Sequence, residues 1–408
     1  MSVIGIVCEF NPFHNGHKYL IDSVKQQGDV VVCVMSGNYV QRCEPAIFPK
    51  EARVKSALLN GADIVLELPF LYATASAEIF AYNAVKILDS FGCNKIAFGA
   101  ENSTVESLNE IVEILLDEKF DVEMKKHLKL GESYPSARQS ALKVFNENID
   151  IKLPNNILAV EYIKALRKMN SDIKPICINR IGADYNDDFA IDGFASATHI
   201  RTLINNNQLI NGYIPENVID LYNECISTGN IVSFEKYNIS ALTMLRLKLP
   251  EKSDVVANMA EGLENRINEA INNSNSLYEI YDKAKTKRYT HSRIRRAVFC
   301  KQFDITVSDL KIEVPYCRLL GFNKNSADVM GELVKKCSLP FVTRYSDVEK
   351  MNESARRVFG YEEKSTDIYN LVLRKTDMCS KEKTFSTVKI WIARNPAKII
   401  AFSLLNSV

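Results

Sequence analysis

Short runs of apolar and β-branched residues recur through the first 180 positions, at 3–8, 30–35, 64–68, 95–98 and 175–178, each closed by turn-forming residues. Between them, apolar residues fall at helical spacing over 16–27, 49–60, 76–91, 105–118 and 155–169. This alternation predicts βαβ units and a parallel sheet. Crossovers of that kind are right-handed, so the loops that follow the strands should share one edge of the sheet. Past about residue 202 strand signals vanish and helical ones dominate, at 203–210, 216–227, 251–257, 262–272 and 276–283, with Asn-rich breaks between them. The expected organisation is a Rossmann-like α/β domain over 1–201, a mainly α-helical region over 202–380, and a tail, 381–408, of uncertain structure. The tail holds Trp391 and an apolar run over 399–405; it reads as a strand plus a terminal helix, or as a divergent end.

Composition narrows the class. At 46% hydrophobic and 25% charged residues, the chain has the make-up of an ordinary soluble protein. Its net charge is +1, so any nucleic-acid surface must come from local segregation of charge. The ten cysteines form no CxxC pair and no zinc spacing, and several sit in apolar runs, which reads as buried thiols of a reducing compartment. Cys8 as a nucleophile is disfavoured by its mid-strand position. Neither a signal peptide nor an apolar stretch of membrane-spanning length is visible, so a cytoplasmic location without membrane contact is expected.

The first strand runs directly into Glu-Phe-Asn-Pro-Phe-His-Asn-Gly-His, residues 9–17. Two of the five histidines, His14 and His17, lie three apart across Gly16, where a first strand hands over to a first helix. In an open parallel sheet that turn is a phosphate site, because free backbone N–H groups and the helix dipole attract anions. Gly16 lets a nucleotide approach the backbone, and imidazoles at i and i+3 share one side of the helical turn. As donors they would bind phosphate oxygens and stabilise a leaving pyrophosphate. Two ordinary histidines, or a metal pair, are the competing readings.

Other clusters carry two readings each. Ser196 and Thr198 open a helix with Arg201 one turn in; they either cap it or donate to a phosphate. Gly99 ends a strand, as a plain turn or as a close approach to a ligand. Lys50 and Arg53, with Gln41 and Arg42, form a basic cluster that either neutralises pyrophosphate, receives RNA, or is a solvated helix face. Asp63 and Glu67 flank the third strand, and one of them is a candidate to hold Mg²⁺ through water. The run 283–296 carries seven lysines and arginines and no acid: Lys283, Lys285, Lys287, Arg288, Arg293, Arg295 and Arg296, with Tyr289 and His291 interleaved. Such a run neutralises phosphates while an aromatic ring stacks on an unpaired base, or it is a basic helix face paired with acids.

His14-Asn15-Gly16-His17 resembles the His-x-Gly-His signature of the nucleotidyltransferase superfamily, and Ser196, Thr198 and Arg201 resemble its second signature. A wider set is more specific. Val-Met-Ser-Gly at 34–37, Gln-Arg at 41–42, Glu-Pro at 44–45, Gly-Ala-Asp at 61–63 and Glu-Leu-Pro at 67–69 are joined by Phe-Gly-Ala-Glu-Asn at 98–102 and Ser-Tyr-Pro at 133–135. Lys-Leu-Pro-Asn-Asn-Ile at 152–157, Ala-Ser-Ala-Thr-His-Ile-Arg at 195–201, Lys-Thr-Lys-Arg-Tyr-Thr at 285–290 and Tyr-Cys-Arg-Leu-Leu-Gly at 316–321 follow. Together, over about residues 1–370, these resemble the bacterial tRNA(Met) cytidine acetate ligase family.

The resemblance implies an enzyme that uses ATP, with Mg²⁺, to turn acetate into acetyl-adenylate. It then acetylates N4 of the wobble cytidine of elongator tRNA(Met). It implies catalytic roles for His14, His17, Ser196, Thr198 and Arg201. It implies ATP contacts along Val7, Cys8, Glu9, Phe10, Asn11, Pro12, Phe13, His14, Asn15, Gly16, His17, Lys18, Tyr19 and Leu20, and at Gly99, Asn155 and Arg180. The expected RNA contacts are Lys285, Lys287, Arg288, Tyr289, Arg293, Arg295 and Arg296. No dedicated protein metal site and no obligate protein partner are expected. The competitors are a small-molecule adenylyltransferase, which needs no basic helical region, and an RNA-binding protein that holds ATP as a structural ligand.

Overall fold

The computed structural model describes residues 1–151, 153–180, 193–248, 256–259, 262–378 and 381–390. Five strands come from the expected apolar runs: β1 (Val3–Cys8), β2 (Val30–Ser36), β3 (Ile64–Leu68), β4 (Lys95–Ala100) and β5 (Lys174–Asn179). They pair in parallel in the order β3-β2-β1-β4-β5, so the chain reverses direction across the sheet between β1 and β4. Strand β2 is buried along its whole length, as a parallel strand covered on both faces must be. Its alternation splits the core: Val30, Val32 and Val34 face one hydrophobic layer, and Val31, Cys33 and Met35 face the other. Helices Ala77–Ser90 and Pro154–Met169 cover the first face, and Asn15–Val24 and Lys50–Leu59 the second.

Beyond residue 202 the structure corrects the expectation that strands vanish. β6 (Cys317–Asn323) joins the same sheet antiparallel to β3, with Ile64 opposite Phe322. β7 (Phe341–Val342) and β8 (Val388–Ile390) pair in parallel with β6, making a sheet of eight strands among the described residues. Gly321 permits this closure, since a Cβ there would meet Val54 at 2.6 Å and the Val388 carbonyl at 2.9 Å. The helix expected over 203–210 is instead Ala197–Asn205; Asn207, at φ 54°, turns the chain out of helical conformation. Helices Phe234–Leu247, His291–Phe303 and Glu353–Leu371 are N-capped by Ser233, Thr290 and Asn352. Most of the expected helix 251–257, together with Trp391 and the run 399–405, lies outside the described residues. Among the described residues no helix is long and apolar enough to cross a membrane.

A buried ionic cluster fastens the C-terminal elements to the sheet. Lys50 Nζ lies 2.9 Å from Glu67 Oε1 and 2.5 Å from Glu382 Oε1. Arg318, on β6, donates to Glu67 Oε2 at 2.7 Å and also to Glu382. Thr366 donates to Glu382 at 2.5 Å, and Glu362 accepts the Phe70 N–H. All five charged groups are buried. Two cations face three carboxylates, and burial, followed by the nearby Glu67 charge, pushes the Glu362 carboxyl well above the usual carboxylate range. A protonated Glu362 leaves the cluster electrically balanced.

Two outcomes follow. Arg318→Met leaves Lys50 as the one cation shared by the buried Glu67 and Glu382 and should cost about 3–5 kcal/mol in denaturant unfolding. Glu362 binds its proton more tightly folded than unfolded, so its contribution is full below about pH 4.3 and declines as pH rises towards the raised value. Glu362→Gln should therefore leave melting temperature unchanged in acid and raise it relative to the parent at alkaline pH; parallel pH profiles would contradict the assignment.

Candidate functional site

The exits of β1, β2, β4 and β5 meet on one edge, and the 9–17 segment crosses it. Phe10 sits at φ 47° and the Asn11–Pro12 peptide is cis. Asn11 Oδ1 accepts the Ile47 N–H at 2.8 Å, and the Phe13 N–H donates to the Tyr222 hydroxyl at 3.0 Å. Phe10 and Phe13 are buried, their ring centroids 4.8 Å apart edge to face, and Phe10 meets the His17 ring at 4.9 Å. These two phenylalanines are thus a floor under the histidines, and their side chains face the core.

His14 and His17 cap their own helix reciprocally. His14 Nδ1 accepts the Gly16 N–H at 3.1 Å, and His17 Nδ1 accepts the His14 N–H at 3.2 Å. Their rings stack with centroids 3.7 Å apart. A Cβ at Gly16 would lie 3.0 Å from His14 Cε1, so any larger residue there would push the ring from its place. Both Nδ1 atoms are acceptors, which leaves a proton on Nε2 of each neutral ring, available as a donor. Burial, with Arg180 and Arg201 nearby, pushes His14 down to about 3. Burial and the His14 and Arg180 charges push His17 well below its ordinary value. The pair is therefore neutral, and it offers N–H dipoles.

The second signature is brought alongside. Ser196 caps helix Ala197–Asn205 by accepting the His199 N–H at 3.1 Å, which leaves its own hydroxyl proton to donate. Arg201 donates to the Asn11 carbonyl at 2.9 Å and to Thr198 Oγ1 at 3.2 Å, tying the two signatures together. Arg180 lies over Gly99, where a Cβ would meet its Cγ at 3.3 Å. Asn155 donates to the Glu101 carboxylate, and Asn156 clasps the Glu101 backbone through bonds of 2.9 and 3.0 Å. Gly99, Asn155 and Arg180 therefore gather beyond β4 and β5.

Several expected contacts have other employment. Asn15 Nδ2 donates to the Gly193 and Gly212 carbonyls at 3.0 and 3.3 Å. Lys18 pairs with Asp22 at 2.5 Å, Tyr19 packs edge to face on Phe194, and Leu20 and Val7 pack into the core layers. Glu9 accepts the Gln41 N–H at 2.7 Å, and burial pushes its carboxyl up. The Cys8 thiol is buried and its pKa is pushed well up by that burial and by Cys33, so it is no nucleophile.

The basic cluster near β2 is corrected. Lys50 belongs to the ionic cluster, and Arg53 is fully buried against backbone carbonyls, so neither is a solvated helix face nor free for phosphate. The Mg²⁺ candidates are committed as well. Asp63 accepts from Lys25, the Val31 N–H and Ser326, and Glu67 from Lys50 and Arg318. Glu67, Glu362 and Glu382 do converge within 4.8 Å, but Lys50 and Arg318 already occupy that convergence.

In the basic run, Lys285, Lys287 and Arg288 are exposed, and Arg293, Arg295 and Arg296 are half-buried on helix His291–Phe303. Tyr289 is 6% exposed in the helical core, with the Arg293 guanidinium 5.2 Å from its ring centre, so it cannot stack on a base as expected. Tyr278, 74% exposed one helix earlier, is an aromatic ring free to do so that the sequence reading missed. Glu44 was missed too: it lies 3.8 Å from Arg201 and 3.9 Å from Arg295.

The histidine geometry has a spectroscopic consequence. Nitrogen-edited NMR should find His14 and His17 as Nε2–H tautomers that do not titrate between about pH 8 and about pH 5. The unfolded chain takes up protons at its ordinary 6.5 and folded His14 only near 3, so this contribution to stability is present above 6.5 and is lost as pH falls towards 3. A midpoint near 6.5 for either ring would refute the capped arrangement.

Residues 1–384 match the family model described as HIGH Nucleotidyl Transferase. The tRNA(Met) cytidine acetate ligase of Caldicellulosiruptor saccharolyticus is 40% identical over 383 residues, covering 91% of this chain and 94% of the relative. That of Acetivibrio thermocellus is 38% identical over 409 residues, covering 94% and 97%. Among solved structures, apo Thermotoga maritima TmcAL superposes with a TM-score of 0.90 at 30% identity, over 96% of this chain and all of that one. The same protein bound with alpha-thio ATP gives 0.88 at 30% identity and the same coverage. With the sheet order, the paired histidines and similarity along nearly its whole length, the chain belongs to the tRNA(Met) cytidine acetate ligase family of HIGH nucleotidyl transferases.

Proposed function

We propose that the protein activates acetate with ATP as acetyl-adenylate and transfers the acetyl group to N4 of the wobble cytidine of elongator tRNA(Met), in the cytoplasm. The observation that carries this reading is the neutral, Nε2-donating histidine pair tied through Arg201 to the second signature, in a chain similar to named tRNA(Met) cytidine acetate ligases over more than nine-tenths of its length.

In the first step an acetate oxygen attacks the α-phosphate and pyrophosphate leaves. The carboxylate is itself the nucleophile, so no activated side chain is required. The Nε2–H groups of His14 and His17, the Ser196 and Thr198 hydroxyls and the Arg201 guanidinium hold the triphosphate and stabilise the departing charge. With Asp63 and Glu67 otherwise engaged, a Mg²⁺ ion accompanying ATP would be bound mainly through the phosphates, and it would supply further neutralisation of the departing charge. Gly99, Asn155 and Arg180 hold the nucleoside end. In the second step the cytidine amine attacks the acetyl carbonyl; its N–C bond forms as the bond to AMP breaks. The anticodon loop is single-stranded, so presenting the base costs little unstacking. Lys285, Lys287, Arg288 and the arginines of helix His291–Phe303 receive its phosphates, and Tyr278 stacks on a base.

The test is ATP turnover with acetate and Mg²⁺, with and without unmodified elongator tRNA(Met), followed by analysis of the RNA for N4-acetylcytidine. His14→Asn keeps a capping side chain but loses the Nε2–H, and with His17→Ala it should lower kcat by about 10²–10³. Adenylyl transfer to a small phosphate ester, without acetate-dependent turnover, would overturn the reading in favour of a small-molecule adenylyltransferase.

A further inference from the structure

A small hairpin, Tyr39–Val40 paired with Glu44–Pro45, stands where the ATP edge meets the basic helix. It is seated on that helix by aromatic packing: the Tyr39 ring meets Phe299 at 5.6 Å and Phe303 at 5.5 Å. Its turn also reaches the ATP loop, where the Gln41 N–H holds Glu9. Glu44 is the carboxylate between the two sites. Its Oε1 lies 3.8 Å from Arg201 Nη2 and its Oε2 3.9 Å from Arg295 Nη1. Arg42, on the same turn, feels the charges of Arg201, Glu44, Glu9 and Arg295. Three guanidiniums thus surround two carboxylates, an excess of positive charge at the place where an RNA phosphate or base must pass.

The two arginines depend on Glu44 unequally. Arg201 is held by the Asn11 carbonyl and Thr198 whether or not Glu44 is present. Arg295 has Glu44 and, on its other side, the Tyr281 ring at 5.4 Å; its Nε is buried without a hydrogen-bond partner. Removing the carboxylate leaves Arg295 beside Arg42 and Arg201 without the acid it pairs with, Glu9 staying on the Gln41 N–H, and like charges drive it away. We propose that Glu44 is a positioning residue that holds Arg295 at the mouth of the ATP site for the RNA substrate, acting on the acetyl-transfer step and not on adenylate formation. This rests on the RNA-acetylating reading above.

The experiment compares Glu44→Gln, Arg295→Gln and the double variant in two assays. Acetate-dependent exchange of pyrophosphate into ATP, without RNA, reports the first step. RNA acetylation at varied tRNA(Met) reports the second. For Glu44→Gln, exchange should stay within about twofold of the parent while KM for RNA rises about fivefold, the size of a partly screened ion pair. Arg295→Gln should raise the RNA KM, and adding Glu44→Gln to it should change little, since both substitutions break one link. If Glu44→Gln depresses exchange and acetylation equally, the turn merely supports Glu9 and Arg201 and the inference fails. It also fails if the two substitutions are additive or the RNA KM is unmoved. If the parent protein exchanges pyrophosphate but acetylates no RNA, the functional reading itself fails, and this inference with it.

Discussion

Arg53 is the constraint on which the catalytic edge is built. Its guanidinium is fully buried and donates to four backbone carbonyls: Glu9 at 2.7 Å, Ser36 and Phe48 at 3.1 Å, and Gly37. A buried cation is tolerated only if its donors are filled, so each of those carbonyls must stay where it is. Glu9 begins the loop after β1, and Ser36 and Gly37 close β2. The exits of β1 and β2 are thereby locked to one helix, Lys50–Leu59. That helix is anchored in turn, at Lys50, to the C-terminal glutamates. The distant half of the chain thus helps hold the 9–17 segment in register through Lys50 and Arg53, about one turn apart on one helix.

On this rigid frame, the proposed ATP site would divide its work by charge. The histidines are stripped of charge by burial and by the arginines beside them, and their Nδ1 atoms are consumed in capping. What remains is a pair of oriented N–H dipoles, which need no reorganisation when charge builds on a leaving group. Net positive charge comes from Arg180 and Arg201, both of which act on His14. The arrangement avoids a cost that charged imidazoles would carry, because two protonated rings 3.7 Å apart would repel each other before ATP arrived.

Much of this was legible in the sequence because it is local. β1 to β5 are compact apolar runs whose burial needs no distant partner to be recognised, and the strand-to-helix turn with its two histidines lies within residues 9–17. The misses share a cause. β6 carries Arg318 and Gly321, which weaken its apolar signal, and its partner β3 lies some 250 residues earlier. Lys50 and Arg53 look like surface charges to any local window, since the groups that satisfy them are carbonyls of other loops and glutamates 17 and 332 residues away. Tyr289 sits in a run of cations, yet the burial of one residue in a polar segment is decided by the helices that fold over it.

In the proposed function, two reactions share one site. Adenylate formation needs a fixed cradle for a triphosphate, whereas acetyl transfer needs an RNA to arrive and leave. On the proposed reading, the fold separates these demands by how firmly it holds its arginines. Arg201 is bonded to the loop it serves and belongs to the fixed part. Lys285, Lys287 and Arg288 stand exposed, where screening by salt and exchange with solvent favour reversible contact. Arg295 lies between these extremes, half-buried and loosely paired. A graded series of cations, from bonded to solvated, can bind a polyanion firmly at the reacting end and release it readily at the other.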